Sequence, residues 1–333
     1  MPALQLTVST EKVRLAAPFR ISGFVFEHQD LVVVTVREGT YCGRGEASGV
    51  YYLKDDTTKM TATLESHRAQ IEAGIDREAV GRLLPPGGAR NALDCALWEL
   101  DAARAHRPVW QLAGLPSVRP LVTTFTLGAD EPGVMAEGAM KYAQARSLKL
   151  KLTGDLDADI ARVRAVRSAR PAVWLGVDAN QGYRIETLED LLPALVEANV
   201  ALLEQPLARG QEADLEGFTS PIPIAADESA LCLADVPGLV GRFNVVNIKL
   251  DKCGGLTEAL LMARLARDLG LGVMVGNMVG TSLAMAPGFV VGQLCDVVDL
   301  DGPIFLAADR KPGVLYSDGK IWCSEDVWGS GAS

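Results

Sequence analysis

The chain has 333 residues, 48% hydrophobic and 22% charged, and its 42 acidic against 32 basic side chains give a formal charge of −10. That composition excludes a disordered or collagen-like chain and suits one or two domains with a large core. An acidic surface also argues against broad phosphate-backbone binding, so no nucleic-acid partner is expected. The six cysteines (Cys42, Cys95, Cys232, Cys253, Cys295, Cys323) form no CxxC pair. They read as reduced thiols rather than as a zinc cage or a disulfide framework. No signal peptide is visible, and no run of about 18 apolar residues occurs. A cytoplasmic chain without membrane contact is the expectation.

In chain order, residues 3–10, 30–37 and 40–47 are rich in strand formers, with LVVVTV ahead of a Gly-Thr turn. TTKMTATLESHRAQIEAGI (57–75) and ARNALDCALWELDAARA (89–105) carry apolar residues at helical spacing,. The first third therefore reads as α+β. From about residue 120 short apolar strands alternate with longer segments: 123–128, 147–152, 173–178, 201–205, 222–227, 245–250, 271–276 and 296–301. Most of the intervening segments have helical length, such as LTEALLMARLARDLG (256–270). Eight strands at intervals of roughly 20 to 28 residues predict a parallel (β/α)8 barrel. A dinucleotide-binding open sheet would need GxGxxG at its first strand-to-helix turn, and no segment has that spacing. GxSxG, Walker and HExxH motifs are missing as well. The tail GVLYSDGKIWC (313–323) reads as a hairpin with an Asp-Gly turn, outside the barrel count and placed to pack on the N-terminal domain,.

Barrel active sites lie at the C-terminal ends of the strands. Those ends are charged here: Lys149 and Lys151, Asp178, Glu204, Asp227 and Glu228, Lys249 and Asp251, Asp299 and Asp301. Strand alternation would put Lys149 with Lys151, Lys249 with Asp251 and Asp299 with Asp301 on shared faces. Spacing alone leaves Asp178, Glu204 and Asp227 open to an ordinary reading as salt-bridge partners of the barrel lysines. The simplest chemical arrangement instead gathers these three carboxylates, from adjacent strands, around one hard divalent cation, Mg²⁺ with Mn²⁺ as substitute. Lys151 and Lys249 then flank it from opposite sides. A metal-held carboxylate favours loss of the neighbouring α-proton, one lysine taking it and the other returning one to the opposite face.

ARNALDCALWELDAARA, KLK (149–151), VDAN (177–180), LLEQPL (202–207), AADES (225–229), NIKLDKCGGLTEAL (247–260) and DLDGP (299–303) together resemble the enolase superfamily. The resemblance is to its muconate-lactonizing subgroup, within that to dipeptide epimerases of the L-Ala-D/L-Glu type, and covers essentially the whole chain. It implies a modified (β/α)7β TIM barrel with an N-terminal α+β capping domain completed by the C-terminal tail. The corresponding divisions are 1–118 for the cap, with specificity loops near 18–28 and 48–56, 119–308 for the barrel, and 309–333 for the tail. It further implies an isomerase, an Mg²⁺-dependent epimerase working by Lys/Lys 1,1-proton transfer through an enediolate. Asp178, Glu204 and Asp227 become the metal ligands and Lys151 and Lys249 the acid/base pair. Asp299 and Asp301 grip the substrate ammonium, and Thr126 and Lys149 also contact substrate. The substrate would be a small carboxylate, a dipeptide foremost, and family analogy suggests a homo-oligomer. Only His28, His67 and His106 are present, none at a barrel-strand end, which disfavours the branch that uses a His base.

One departure bears on specificity. Glutamate-specific members place an arginine in the first capping loop, and the aligned position here is Phe26, with Arg20 displaced from it. Phe24 and Phe26 in that loop, with Tyr51 and Tyr52 in GVYYLKDD (49–56), either pack the domain junction or meet the substrate. The second option predicts a non-glutamate or hydrophobic side chain, although Lys54 could still supply a cation. Alternatives are an N-acylamino acid racemase, whose substrate lacks the ammonium, and a lyase or cycloisomerase of the same subgroup. A binding scaffold without turnover would have no need of a two-faced lysine pair.

Overall fold

A computed structural model describes residues 3–21 and 24–331 and, for Arg20, Ile21 and Phe24, the backbone alone. The N-terminal sheet is an antiparallel meander of β1 (Gln5–Ile21), β2 (Phe24–Glu38) and β3 (Tyr41–Ala47). Along β2 the side chains alternate, so that Val32, Val34 and Val36 face one core while Val33 faces another,. The three valines pack on Ala92, Leu93, Ala96, Leu97 and Leu100 of the helix Gly88–Ala105. Each fully buried Val or Leu contributes roughly 1.5–3 kcal/mol. A β-carbon at Gly43 or Gly45 would lie 2.0 Å from the carbonyl oxygen of Ala96 or Ala92, so only glycine lets this helix close on β3. The opposite helix face, with Cys95, Trp98 and Ala102, joins the barrel core. The predicted helix at 57–75 is broken at His67 into Thr57–Ser66 and Arg68–Glu72.

The barrel sheet is parallel, in the order β5 (Thr124–Leu127), β6 (Ser147–Lys151), β7 (Trp174–Asp178), β8 (Leu202–Glu204), β9 (Ile224–Ala226), β10 (Val245–Ile248), β11 (Gly272–Val275) and β12 (Val297–Val298). A two-residue strand, β4 (Leu121–Val122), precedes it. All eight barrel strands fall where the apolar runs predict them. Two crossovers, β8 to β9 and β9 to β10, use the 3-10 turns Glu212–Leu215 and Leu233–Leu239 in place of α-helices. β5 and β12 are joined by side chains rather than by a backbone ladder. Leu300 N donates to Thr123 Oγ1 (2.9 Å), Thr126 N to Asp301 Oδ2 (2.7 Å), and Thr124 Oγ1 to Asp299.

The tail hairpin, β13 (Leu315–Ser317) and β14 (Lys320–Trp322), turns at Asp318-Gly319, both at positive φ, and pairs with β4,. Beyond it, Trp328 Nε1 donates to Arg44 O (2.9 Å) and Gly329 N to Glu99 Oε1 (3.0 Å), which docks the tail on the N-terminal domain. Among the described residues no helix is long and apolar enough to cross a membrane, and the six cysteines are free.

Candidate active site

In-register pairing sets the carboxylates side by side: Lys151 opposite Asp178, and Asp178 opposite Glu204. Asp227 follows directly on β9, so one ligand atom from each of Asp178, Glu204 and Asp227 lies within 4.8 Å of the others. All three are buried. Lys151 Nζ pairs with Asp178 Oδ2, and Lys249 Nζ donates to Asp227 Oδ2 at 2.6 Å. With β7, β8 and β9 between their strands, the two lysines approach the cluster from opposite sides of the barrel.

The electrostatics are those of an excess of negative charge. Burial, and then the charge of Asp178, pushes Glu204 up to about 7. Burial and the charges of Asp227 and Asp178 push Glu228 up to about 8. Burial works against ionising Asp227 too, yet the ammonium groups of Lys249 and Lys252 outweigh it and hold that carboxyl well below the usual range. Burial likewise opposes protonated Lys249, but Asp227 and Glu204 hold its pKa well above an ordinary lysine's. Glu204 Oε2 and Glu228 Oε2 are buried without a hydrogen-bond partner. Converging oxygens, one of them accepting no hydrogen bond, suit a hard divalent cation, whose charge would relieve the crowding.

Four residues that the motif reading did not single out orient this cluster. Gln205, fully buried at φ 36°, accepts from the N–H groups of Asp227 (2.9 Å) and Ser229 (3.1 Å) and so ties β8 to β9. A non-glycine residue at positive φ beside ligands marks strain retained for geometry. Asn247 Nδ2 donates to Glu204 Oε1 at 2.7 Å. Lys252 Nζ donates to Asp227 Oδ1 at 2.5 Å. Gly276 leaves space for the Lys249 stem, since a β-carbon there would lie 2.9 Å from Lys249 Cε. The sequence signal for Gln205 was the EQP triplet, which marks the position but not the cross-strand bond.

At the barrel seam, Lys149 Nζ pairs with Asp299 Oδ2 and lies 3.4 Å from Glu204 Oε2. Burial works against the charge on both members of that pair. The two charges outweigh it, so Lys149 stays raised and Asp299 lowered. Burial and the charge of Asp299 push Asp301 up to about 6, with Asn277 Nδ2 3.4 Å from its Oδ1. Arg310, the next arginine in the chain after this pair, bonds Glu46 and Glu11 instead. Asp251 corrects the alternation argument: Lys249 is the N-cap of a helical turn, Leu250–Cys253, and the chain's coiling carries Asp251 away toward the capping loop.

A pocket opens above these groups, and Thr126, Lys149, Lys151, Lys249, Asp299 and Asp301 line it. Its upper wall is aromatic, formed by Phe19, Phe26, Tyr51, Tyr52 and Phe305. Phe26 and Tyr51 meet edge-on at 5.5 Å, as do Tyr51 and Tyr52 at 5.2 Å. The Phe24 and Arg20 side chains lie outside the described residues. Among the described lining residues the cations are Lys149, Lys151 and Lys249, with no arginine. Lys54 is exposed and caps the turn Tyr51–Leu53 away from that lining.

Residues 3–114 match the mandelate racemase/muconate lactonizing enzyme N-terminal domain, and residues 134–322 the enolase C-terminal domain-like family. An N-acetyl-D-glutamate racemase of Pseudoalteromonas is 39% identical over 87% of this chain and 92% of its own. An L-Ala-D/L-Glu epimerase of Escherichia coli K12 is 38% identical over 92% and 96%. Among solved structures, an enolase family member from Agrobacterium tumefaciens with homology to dipeptide epimerases, holding sodium and L-Ala-L-Glu, superposes with a TM-score of 0.94. It is 39% identical over 98% of this chain and 100% of its own. A dipeptide epimerase from Enterococcus faecalis V583, complexed with Mg and L-Leu-L-Tyr, gives a TM-score of 0.92 at 28% identity over 99% of both chains.

Proposed function

The chain belongs to the enolase superfamily, in its mandelate racemase/muconate lactonizing enzyme branch, and is an isomerase of the dipeptide and amino-acid epimerase kind; from that premise we propose that it inverts the C-terminal α-carbon of dipeptides whose C-terminal side chain is apolar. The observation that carries this reading is the contrast within one pocket. The floor is charged and two-sided in lysine, whereas the upper wall is aromatic and, among the described residues, offers a side-chain carboxylate no arginine.

In this reading Asp178, Glu204 and Asp227 hold Mg²⁺, which when bound offsets the negative charge that develops on the substrate carboxylate. Lys151 and Lys249 face the α-carbon from opposite sides; one takes the proton at Nζ and the other, charged, delivers one to the far face. Lys149 contributes a fixed positive charge beside Glu204 and Asp299. Asp301, the carboxylate left without a cation, accepts the substrate ammonium, and Thr126 holds Asp301 in place through its backbone N–H.

A second reading, racemisation of N-acylamino acids, draws on one observation: Asp299 is already paired with Lys149 and Thr124, so half of the amine clamp is occupied. The N-acetyl-D-glutamate racemase among the relatives is consistent with it. Steady-state epimerisation of L-Ala-L-Leu, L-Ala-L-Glu and N-acetyl-L-leucine separates the readings. The first predicts a kcat/KM for L-Ala-L-Leu at least tenfold above both others. It further predicts that Phe26→Arg narrows the gap to L-Ala-L-Glu by about tenfold, the worth of about 1.4 kcal/mol. A preference for L-Ala-L-Glu in the parent protein would contradict it.

A further inference from the structure

Asp251 is a buried carboxylate that, among the described residues, has no cation bonded to it. Its Oδ1 accepts two backbone N–H groups, Ser48 and Gly49, each at 2.9 Å. Burial pushes the carboxyl up to about 7 in spite of those bonds. A carboxylate buried at such a position is costly to keep in place of an apolar side chain, so what it holds is the question.

What it reaches is the base of the aromatic wall. Ser48 and Gly49 line the pocket themselves and lead, through Val50, into the 3-10 turn Tyr51–Leu53. Gly49 sits at φ +70°, where a β-carbon would lie 1.9 Å from Asp55 O, so this close approach of the two ends of the loop admits only glycine,. Beyond the turn, Asp55 Oδ2 accepts Gly88 N at 2.7 Å. The tyrosine turn is thus pinned at one end to the helix Gly88–Ala105 of its own domain and at the other to the barrel. The barrel pin stands two residues after Lys249, on the turn that Lys249 caps.

We infer that Asp251 is a positioning residue for specificity, fixing the Tyr51–Tyr52 wall relative to Lys249 so that the pocket is shaped for a large apolar side chain. This rests on the pocket's reading as the site of proton transfer next to a carboxylate. It adds that side-chain selection is referenced to the catalytic strand itself rather than to the capping domain alone.

The test compares Asp251→Ala with Asp251→Asn, whose amide oxygen still accepts both N–H groups. With L-Ala-L-Phe as substrate, Asp251→Ala should raise KM at least tenfold and leave kcat within about threefold, whereas KM for L-Ala-L-Ala should stay within about threefold. Asp251→Asn should restore the parent KM. Mg²⁺ affinity by titration calorimetry should be the same in all three proteins. Amide hydrogen exchange over residues 48–53 should accelerate in Asp251→Ala and stay at the parent rate in Asp251→Asn. Equal losses on both dipeptides, a fall confined to kcat, no recovery in Asp251→Asn, or unchanged protection of residues 48–53 would each overturn the inference. If the parent protein turns over only N-acylamino acids, the dipeptide reading fails separately. The same KM contrast is then read between N-acetyl-phenylalanine and N-acetyl-alanine. Hydrogen exchange tests the pinning of residues 48–53 without any substrate.

Discussion

Two buried clusters of charge in this chain are built to opposite standards. Glu46, from β3, receives Thr281 N on one oxygen and Thr281 Oγ1, Arg310 Nε and Arg310 Nη2 on the other. Each of its acceptors is used, and Arg310 also reaches Glu11, so the capping domain is fastened to the loop after β11 and to the tail. The ligand cluster has three carboxylates, a neighbouring fourth in Glu228, and, among the described residues, oxygens on Glu204 and Glu228 that accept no hydrogen bond. Burial and hydrogen bonding are common to both. What marks the second as a working site is the polarity left over, since natural proteins seldom leave buried acceptors idle.

That contrast can be broken by exchanging one residue in each cluster. Glu46→Ala leaves the Thr281 N–H without its acceptor and takes from Arg310 one of its two carboxylate partners. It should lower unfolding free energy by about 3–5 kcal/mol in urea titrations while leaving Mg²⁺ affinity within about threefold. Glu204→Gln removes like charge from a crowded site, so the metal-free protein should be as stable as the parent or more so. Its Mg²⁺ affinity should fall by more than the roughly 10–100-fold typical of changes one shell out. A large stability loss in Glu204→Gln would show that the two clusters do the same job.

Asp94 sharpens the comparison from the structural side. It bonds Thr257 N (2.9 Å) and Oγ1 (2.6 Å), stitching the helix Gly88–Ala105 to the helix Leu256–Asp268. Burial nevertheless pushes it up to about 6. Because its folded pKa lies above the unfolded value of about 3.8, its contribution is complete below roughly pH 4 and is lost as pH rises through 6. Against Asp94→Asn, the parent should lose on the order of 3 kcal/mol of relative stability between pH 4 and 7. A constant difference across that range would contradict the assignment.

Much of the site was legible because a barrel translates position in a strand into position in space. ALLEQ and VWLGVD are apolar until their last residues, and a charge at such an end points to the open face,. Register alone then places Lys151 beside Asp178 and Asp178 beside Glu204. The illegible parts depend on partners far away in sequence. Gln205 matters through N–H groups on the next strand, Asn247 through Glu204, and the threonines of 123–126 through a seam that closes without a ladder. The place of Asp251 differs for a simpler reason: β10 ends at Ile248, before Lys249 and Asp251, so strand alternation does not reach either of them.

Proton exchange at the α-carbon tests the central claim most directly. With Mg²⁺ in D₂O, the parent protein should place deuterium in the C-terminal residue of L-Ala-L-Leu and of L-Ala-D-Leu. Lys151→Ala and Lys249→Ala should each slow epimerisation by about 10²–10⁴. One variant should still exchange only the L,L epimer and the other only the L,D epimer, since each keeps the base for one face. Loss of exchange from both epimers in one variant, with both retained in the other, would contradict a two-lysine mechanism.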